Sequence, residues 1–469
     1  MKDRILIANR GEIAIRIMEA CKRLGLDYVC VYTRGDEESL HVRLAQEDSG
    51  DRRRIYRVSS YRDPNDILAV ADEAQATAIH PGYGFFAEDF RFARRVVKRS
   101  RPLVFIGPRW EVIRDLGNKL NTKMIARELN IPTIPGTAGP LYNELQAEAA
   151  AEEILYSLED SGIKNPTLLV KAAAGGGGMG IEEVNNMEQF RRIWRRVRNY
   201  ARRQFGDEGV LIELCLKDYH HLEVQILASR HGEYVHFGSR NCTIQSTGRQ
   251  KRIEIAPGFD PEYTSYPFDA RAVLDKIISD SLKLAKHVGY DNIGTWEWLV
   301  TRDGNAYLME INTRIQVEND VSAKISRIGG RVPNLVEEQI RLALGDKMGY
   351  AQEDITFEGT SIEFRLIAED TKRGFIPSAG VITRFAYPDY DWLTIYSHVP
   401  RDRPYRIPTE YDPNLALAVI WGKDTTEAKA RGRTFLAETT IEGQDSHGQP
   451  LLTNITYLKE RLEEILIFS

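Results

Sequence analysis

The sequence predicts an α/β chain that opens with a parallel sheet and passes into a larger mixed α+β region. Three observations predict it. Short apolar strands alternate with amphipathic helices over residues 1–115. A run of four glycines, Gly175 to Gly178, follows a strand at 167–171 and precedes a long helix. Further on, two strands meeting at Asp303-Gly304 read as a hairpin.

In the first stretch, Ile5 to Ala8 reads as a strand, and Ile13, Ile17, Ala20 and Cys21 recur at helical spacing. Tyr28 to Tyr32, Ala78 to His80 and Leu103 to Gly107 read as further strands. Alternation of this kind closes as a parallel sheet covered by helices, because parallel neighbours need a crossover between them. Residues 116–142 hold a helix, Lys123 to Leu129, and then Pro132, Pro135, Gly136, Gly139 and Pro140, a composition that breaks regular structure and marks a linker. A second unit, 143–215, carries a helix from Leu145 to Leu158, the strand, the glycine loop and a helix from Glu188 to Arg203. Seven arginines ride on that last helix above a stripe of Ile193, Trp194, Val197 and Ala201, which is the pattern of a solvated basic face. The remainder, 216–469, has strands near 222–228, 234–238, 295–300 and 306–311 and helices near 270–287 and 334–345.

Composition excludes several classes. The 469 residues are 42% hydrophobic and 28% charged, which suits a globular chain of about three domains. Lysine and arginine total 63 against 68 acids, a net −5, so a generally basic nucleic-acid surface is not expected. No apolar run reaches the roughly 18 residues of a membrane span. The N-terminus enters a strand without the charged start and apolar stretch of a secretory peptide. Four cysteines, Cys21, Cys30, Cys215 and Cys242, with no Cys-x-x-Cys, read as small buried hydrophobes in a reduced cytoplasm rather than a disulfide or zinc framework.

Two places carry chemistry. Lys171 leads into Ala172-Ala173-Ala174-Gly175-Gly176-Gly177-Gly178, whose bare backbone N–H groups suit an anionic phosphate. No Gly-Lys-Ser/Thr ends the run, so it is not a Walker A loop. With Asp303-Gly304 as a two-residue loop, Glu297 faces Glu310. Opposed residues have Cβ atoms about 4.5–5.5 Å apart, and two carboxylates at that spacing call for a cation, with hard oxygens favouring Mg²⁺ or Mn²⁺. Glu310, Asn312, Arg314, Gln316 and Glu318 then recur at period two, so an extended segment sets them on one face. Arg314 is placed to clamp a small planar anion and Glu318 to take a proton from it.

These residues carry a family resemblance. Asn9-Arg10-Gly11-Glu12-Ile13-Ala14, His80-Pro81-Gly82-Tyr83-Gly84-Phe85, the glycine loop, Glu310-Ile311-Asn312-Thr313-Arg314-Ile315-Gln316-Val317-Glu318 and Glu363-Phe364-Arg365 together resemble biotin carboxylase, an ATP-grasp enzyme. The resemblance implies an ATP-grasp fold preceded by a Rossmann-like domain (1–115), a linker (116–142), a glycine-rich lid (143–215) and a catalytic core with a C-terminal domain (216–469). It implies an ATP-dependent ligase that converts bicarbonate to carboxyphosphate with MgATP, then carboxylates N1 of biotin on a separate carrier.

Residue by residue, the resemblance puts Lys119, Lys171 and Gly176, Gly177 and Gly178 at the ATP phosphates. It puts Glu213, Leu214 and Leu216 at the adenine hinge and His221 and Gln245 on the ribose side. Glu297, Glu310 and Asn312 fall at the metal positions. Arg314, Gln316 and Val317 form the bicarbonate cradle, Glu318 is the base, Arg365 steadies the biotin enolate, Lys251 faces bicarbonate and biotin, and Tyr83 and Gly84 border the biotin pocket. The chain departs from the family at Asn118, Met179, Leu214, the segment 242–251 and Asn319-Asp320. The partners implied are a biotin carboxyl carrier protein or biotinylated subunit, a carboxyltransferase subunit and a second copy of the chain, with no nucleic acid and no membrane. The setting expected is a cytoplasmic acyl-CoA or 2-oxoacid carboxylase. No Ala-Met-Lys-Met sequence occurs, so biotin is expected to arrive on a partner. Two other readings share these residues: an ATP-grasp ligase with another carboxylate substrate, and a non-catalytic ATP-binding scaffold.

Overall fold

The computed structural model describes residues 3–50, 53–160, 165–173, 180–246 and 250–467, with Phe205 in backbone only. Gly176, Gly177 and Gly178 of the predicted phosphate loop, and Met179, lie outside the described residues.

The first sheet is parallel throughout. Its strands β1 (Arg4–Ile7), β2 (Asp27–Tyr32), β3 (Ile55–Arg57), β4 (Ala78–His80) and β5 (Val104–Phe105) lie in the order β3-β2-β1-β4-β5. Helix Gly11–Arg23 buries Ile13, Ile17, Ala20 and Cys21 against it, as the spacing predicts. Strand β3 is absent from the sequence reading because three residues flanked by arginines show no period. Strand order reverses between β1 and β4, and the crevice at the carboxyl ends of such strands is where a ligand fits. Those ends carry Asn9 to Glu12 and Pro81 to Gly84.

A smaller antiparallel sheet follows, ordered β7-β6-β8 from β6 (Leu168–Ala172), β7 (Ile181–Val184) and β8 (Val210–Leu214). Helices Glu144–Asp160 and Met187–Phe205 cover it, and Ile193, Trp194, Val197 and Ala201 are buried there. The arginine-rich face is laced with ion pairs: Arg191 to Glu148 at 2.8 Å, Arg195 to Glu144 at 2.7 Å, and Arg196 and Arg198 to Glu182 and Glu208. Its charge is thus spent on neighbouring acids.

The third sheet has eight strands. In order these are β13 (Ala306–Asn312), β12 (Asn292–Thr301), β9 (Tyr219–Ala228), β10 (Tyr234–Gln245) and β11 (Lys251–Ala256), then Thr360–Ile367, Asn414–Gly422 and Leu393–Ser397. The two sides of β9 and β12 differ. Leu222, Val224, Ile226, Trp296 and Trp298 enter the apolar core, while His221, Glu223, Gln225, Thr295 and Glu297 stand on the opposite face, as period two dictates.

Two local expectations are corrected. The hairpin loop has three residues, Arg302 to Gly304, closed by Thr301 N–H donating to the Asn305 carbonyl at 2.9 Å. Val300 therefore faces Ala306, one step off the predicted register, and a bulge at Met309 restores Glu297 opposite Glu310. The extended segment also stops early. Strand β13 ends at Asn312, residues 313–318 turn, and the helix Asn319–Ile325 begins at once. Among the described residues no helix is long and apolar enough to cross a membrane.

Candidate active site

A cleft of about 1540 Å³ runs between the three sheets. Its floor is the polar face of the large sheet, where Glu223, Glu297 and Glu310 stand in register on β9, β12 and β13. Three carboxylates in a row are tolerable only with cations among them. Lys251 on β11 supplies one: its ammonium contacts Glu223, lies 3.2 Å from Glu297 and 2.8 Å from Glu318. Arg240, fully buried, donates to Glu223 at 2.9 Å and to the amide oxygens of Gln225 and Gln316 at 2.8 and 2.7 Å. Lys119 lies 2.7 Å from Glu310.

The turn after β13 brings its polar groups back onto this floor although it is not a strand. Asn312 and Gln316 donate to Glu297 at 2.7 and 3.0 Å, and Ile315 points away into the core. Arg314 donates to Glu88 at 2.9 Å and to the Asn312 oxygen at 3.1 Å, with Val317 beside it on the cleft wall. Glu318 sits between two cations, Lys251 and the Arg365 guanidinium, the latter at 3.0 Å. Burial works to raise the Glu318 carboxyl, but Lys251, Arg365 and Arg240 outweigh it and hold the group below its ordinary range, ionised. Glu297 is likewise pushed up by burial and pulled well down by Lys251 and His221. His221 lies 2.9 Å from Glu297, and its other ring nitrogen is 2.9 Å from the Gln245 amide.

At the far end, Glu213 turns its carboxylate onto two lysines, Lys171 and Lys123. Leu214, Leu216, Tyr219 and Leu299 make the wall apolar there, which suits a flat aromatic ring. On the N-terminal side, Asn9 donates to the Pro81 and Tyr83 carbonyls at 2.6 and 2.7 Å and ties the ends of β1 and β4 together. Tyr83 donates to Glu12, and Gly84 lies exposed at the cleft mouth. Each described residue named from the sequence therefore lines this one cleft or binds a residue that does.

Several residues of the site were not read from the sequence. Glu223 had a signal, since His221, Glu223 and Gln225 alternate in β9 with Leu222, Val224 and Ile226. Arg240, Lys123 and Glu88 had none, because only tertiary pairing brings them here. Two departures acquire roles. Asn118 caps the helix that carries Lys119, accepting from the N–H groups of Leu120 and Asn121. Asn319 accepts from Arg16 at 2.8 Å and donates to the Gln316 carbonyl at 2.7 Å, pinning the turn.

Among the described residues, two acidic groupings could hold a metal by distance: His221, Glu223 and Glu297, and Glu223, Cys242 and Glu318, each with ligand atoms within 4.8 Å. Lys251 already touches a carboxylate of both. Glu297, Glu310 and Asn312 fit a divalent cation better, because they offer two carboxylates in register and an amide oxygen, all hard donors.

Comparison with known proteins agrees with this geometry. Residues 1–113 match the biotin carboxylase N-terminal domain, 118–350 the ATP-binding domain of the carbamoyl-phosphate synthase L chain, and 363–464 the biotin carboxylase C-terminal domain. The chain is 37% identical over 457 residues to the 2-oxoglutarate carboxylase small subunit of Hydrogenobacter thermophilus, covering 97% of this chain and 90% of that one. It is 36% identical over 446 residues to biotin carboxylase 2 of Bacillus subtilis, covering 94% and 93%. Among solved structures, the biotin carboxylase domain dimer of that 2-oxoglutarate carboxylase, in complex with MgADP, ADP and bicarbonate, superposes with a TM-score of 0.85 at 35% identity, over 99% of this chain and 94% of that one. A biotin carboxylase from Campylobacter jejuni superposes equally well, at 32% identity over 99% and 95%. This chain belongs to the biotin carboxylase family, ATP-dependent ligases that use MgATP and bicarbonate to carboxylate biotin borne on a carrier.

Proposed function

We propose that Glu318 is the base for bicarbonate and Arg365 the group that steadies biotin, and that both act in one cleft with the nucleotide. The observation that carries this is Glu318 held between Lys251 and Arg365, next to Arg314 and Gln316. Arg314, Gln316 and the Val317 backbone cradle bicarbonate. Glu318 takes its proton as a bicarbonate oxygen attacks the γ-phosphorus and ADP leaves. Lys119, Lys171 and the glycine-loop amides hold the phosphate charge, with Leu214 and Leu216 against adenine and His221 and Gln245 on the ribose side. Glu297, Glu310 and Asn312 would hold a divalent cation, which would supply further neutralisation of the phosphate charge. Carboxyphosphate then splits to CO₂ and phosphate, the phosphate takes the proton from biotin N1, and N1 attacks CO₂. Arg365 faces the enolate oxygen that develops, while Tyr83 and Gly84 border the ring.

The same reading extends to partners. Biotin arrives on a carrier protein or biotinylated subunit, a carboxyltransferase subunit takes the product, the chain pairs with a second copy, and the assembly is cytoplasmic. The 2-oxoglutarate carboxylase relative favours a 2-oxoacid as final acceptor over an acyl-CoA. Oxygen labelling tests the chemistry. Bicarbonate labelled with ¹⁸O should pass one labelled oxygen to the phosphate released, and phosphate free of label would overturn the carboxyphosphate route.

A further inference from the structure

Behind Arg365 lie two glutamates that the reaction as described does not use. Glu254 on β11 and Glu363 on strand Thr360–Ile367 are direct partners in the antiparallel ladder, and both side chains are fully buried. Glu254 Oε1 lies 2.5 Å from Arg365 Nη2, the same nitrogen that binds Glu318 at 3.0 Å. Glu363 comes no nearer to Arg365 than 3.8 Å, and among the described residues neither carboxyl finds a hydrogen-bond partner, so the closer ion pair to Arg365 is what sets Glu254 apart. Two carboxylates facing each other out of water cannot both stay ionised beside a single guanidinium.

We propose that Glu254 and Glu363 share one proton and anchor Arg365 from behind, as a positioning pair that competes with Glu318 for the guanidinium. The proton resides on Glu363, and Glu254 keeps its charge. When Glu318 takes the bicarbonate proton its attraction for Arg365 falls, and Glu254 keeps the guanidinium in place for biotin. This rests on the roles given above to Glu318 and Arg365. The surroundings agree with the assignment. Burial, and next the charge of Glu254, push the Glu363 carboxyl well above its ordinary range, and burial likewise raises Glu254 despite Arg365. Arg16 from the first helix and Lys251 from β11 favour ionisation of the pair, whereas Glu318 opposes it. Cys242 faces Glu254 from β10, Tyr396 and Asp320 bind each other at 3.0 Å beyond Arg16, and the strand beside Glu363 presents Val419.

The test uses the full chain and the isosteric variants E254Q and E363Q. Infrared difference spectra at neutral pH should show the C=O stretch of a protonated buried carboxyl that E363Q removes; an unchanged band would overturn the shared proton. E254Q should lower the ratio of biotin carboxylated to ATP cleaved at least tenfold, and E363Q should shift the pH profile of that ratio. Unchanged ratios and profiles in both variants, or equal loss of both activities, would overturn the anchoring role. A wild-type chain without bicarbonate-dependent ATP cleavage would sink the functional reading instead, and the infrared band alone would then decide the pair.

Discussion

At Glu318 the structure poses a chemical question, because a carboxylate held low by two cations is ionised but weakly basic. Its two oxygens are divided between Lys251 and Arg365, so its basicity rises as either contact loosens. Glu318→Gln keeps the shape and removes the proton acceptor. ATP affinity should change little, and bicarbonate-dependent turnover should fall roughly 10²-fold or more. Arg365→Ala should behave differently, lowering carboxybiotin yield more than ATP cleavage; steady-state assays of both products separate the two, and an equal fall would contradict the division of roles. Much of this residue set was legible in advance, since Glu310 to Glu318 places acid, amide and guanidinium in a short run. The buried partners were not. Arg240 and Glu254 lie beyond the strands predicted from sequence, Glu223 and Glu363 carried no role there, and their charge makes sense only once β9, β10, β11 and Thr360–Ile367 lie side by side.

Elements fix these side chains through details that periodicity does not carry. The opposition of Glu297 and Glu310 follows from the sequence only because a three-residue loop and the Met309 bulge cancel. Counting outward from Asp303-Gly304 gives the right pair by a different path. The turn at 313–318 shows the reverse, with the period-two row predicting convergence while a strand was not its cause. Helices were more readable, because an apolar stripe over three or four turns is redundant, whereas β3 offers three residues. The clamp between β1 and β4 is testable at this scale. Gly82 has φ of +63°, and a Cβ there would lie 2.7 Å from the Asn9 amide nitrogen. Gly82→Ala should destabilise the chain by about 1–3 kcal/mol and weaken use of biotin. Denaturant unfolding checks the first, and a midpoint equal to wild type would show that the clamp yields without cost.

Across the whole molecule, burial sets a pH dependence. Burial holds five of the nine histidines neutral: His41, His220 and His236 are pushed down to about 4, and His80 and His398 to about 3. Between an unfolded value of about 6.5 and these folded values the unfolded chain binds more protons, so stability falls as pH is lowered. Glu12, Glu254, Glu363 and Glu369, raised by burial, act in the opposite sense, losing stability as pH rises through their folded values. The histidines outnumber them, and the melting temperature should drop between pH 7 and pH 5; a flat or rising profile would contradict the neutral buried imidazoles.

Three sheets converge on one cleft, with an apolar end, a lysine pair, a carboxylate floor and a guanidinium at the far wall. Under the roles proposed above, the apolar end takes the adenine, the lysines the phosphates, the carboxylate floor the metal and bicarbonate, and the guanidinium biotin. The most direct measurement is ATP cleavage by the purified chain with and without bicarbonate and free biotin, followed by labelled bicarbonate entering acid-labile carboxybiotin. Cleavage that requires bicarbonate and label that appears in biotin are the predicted results. Cleavage indifferent to bicarbonate, or no label in biotin, would contradict the assignment.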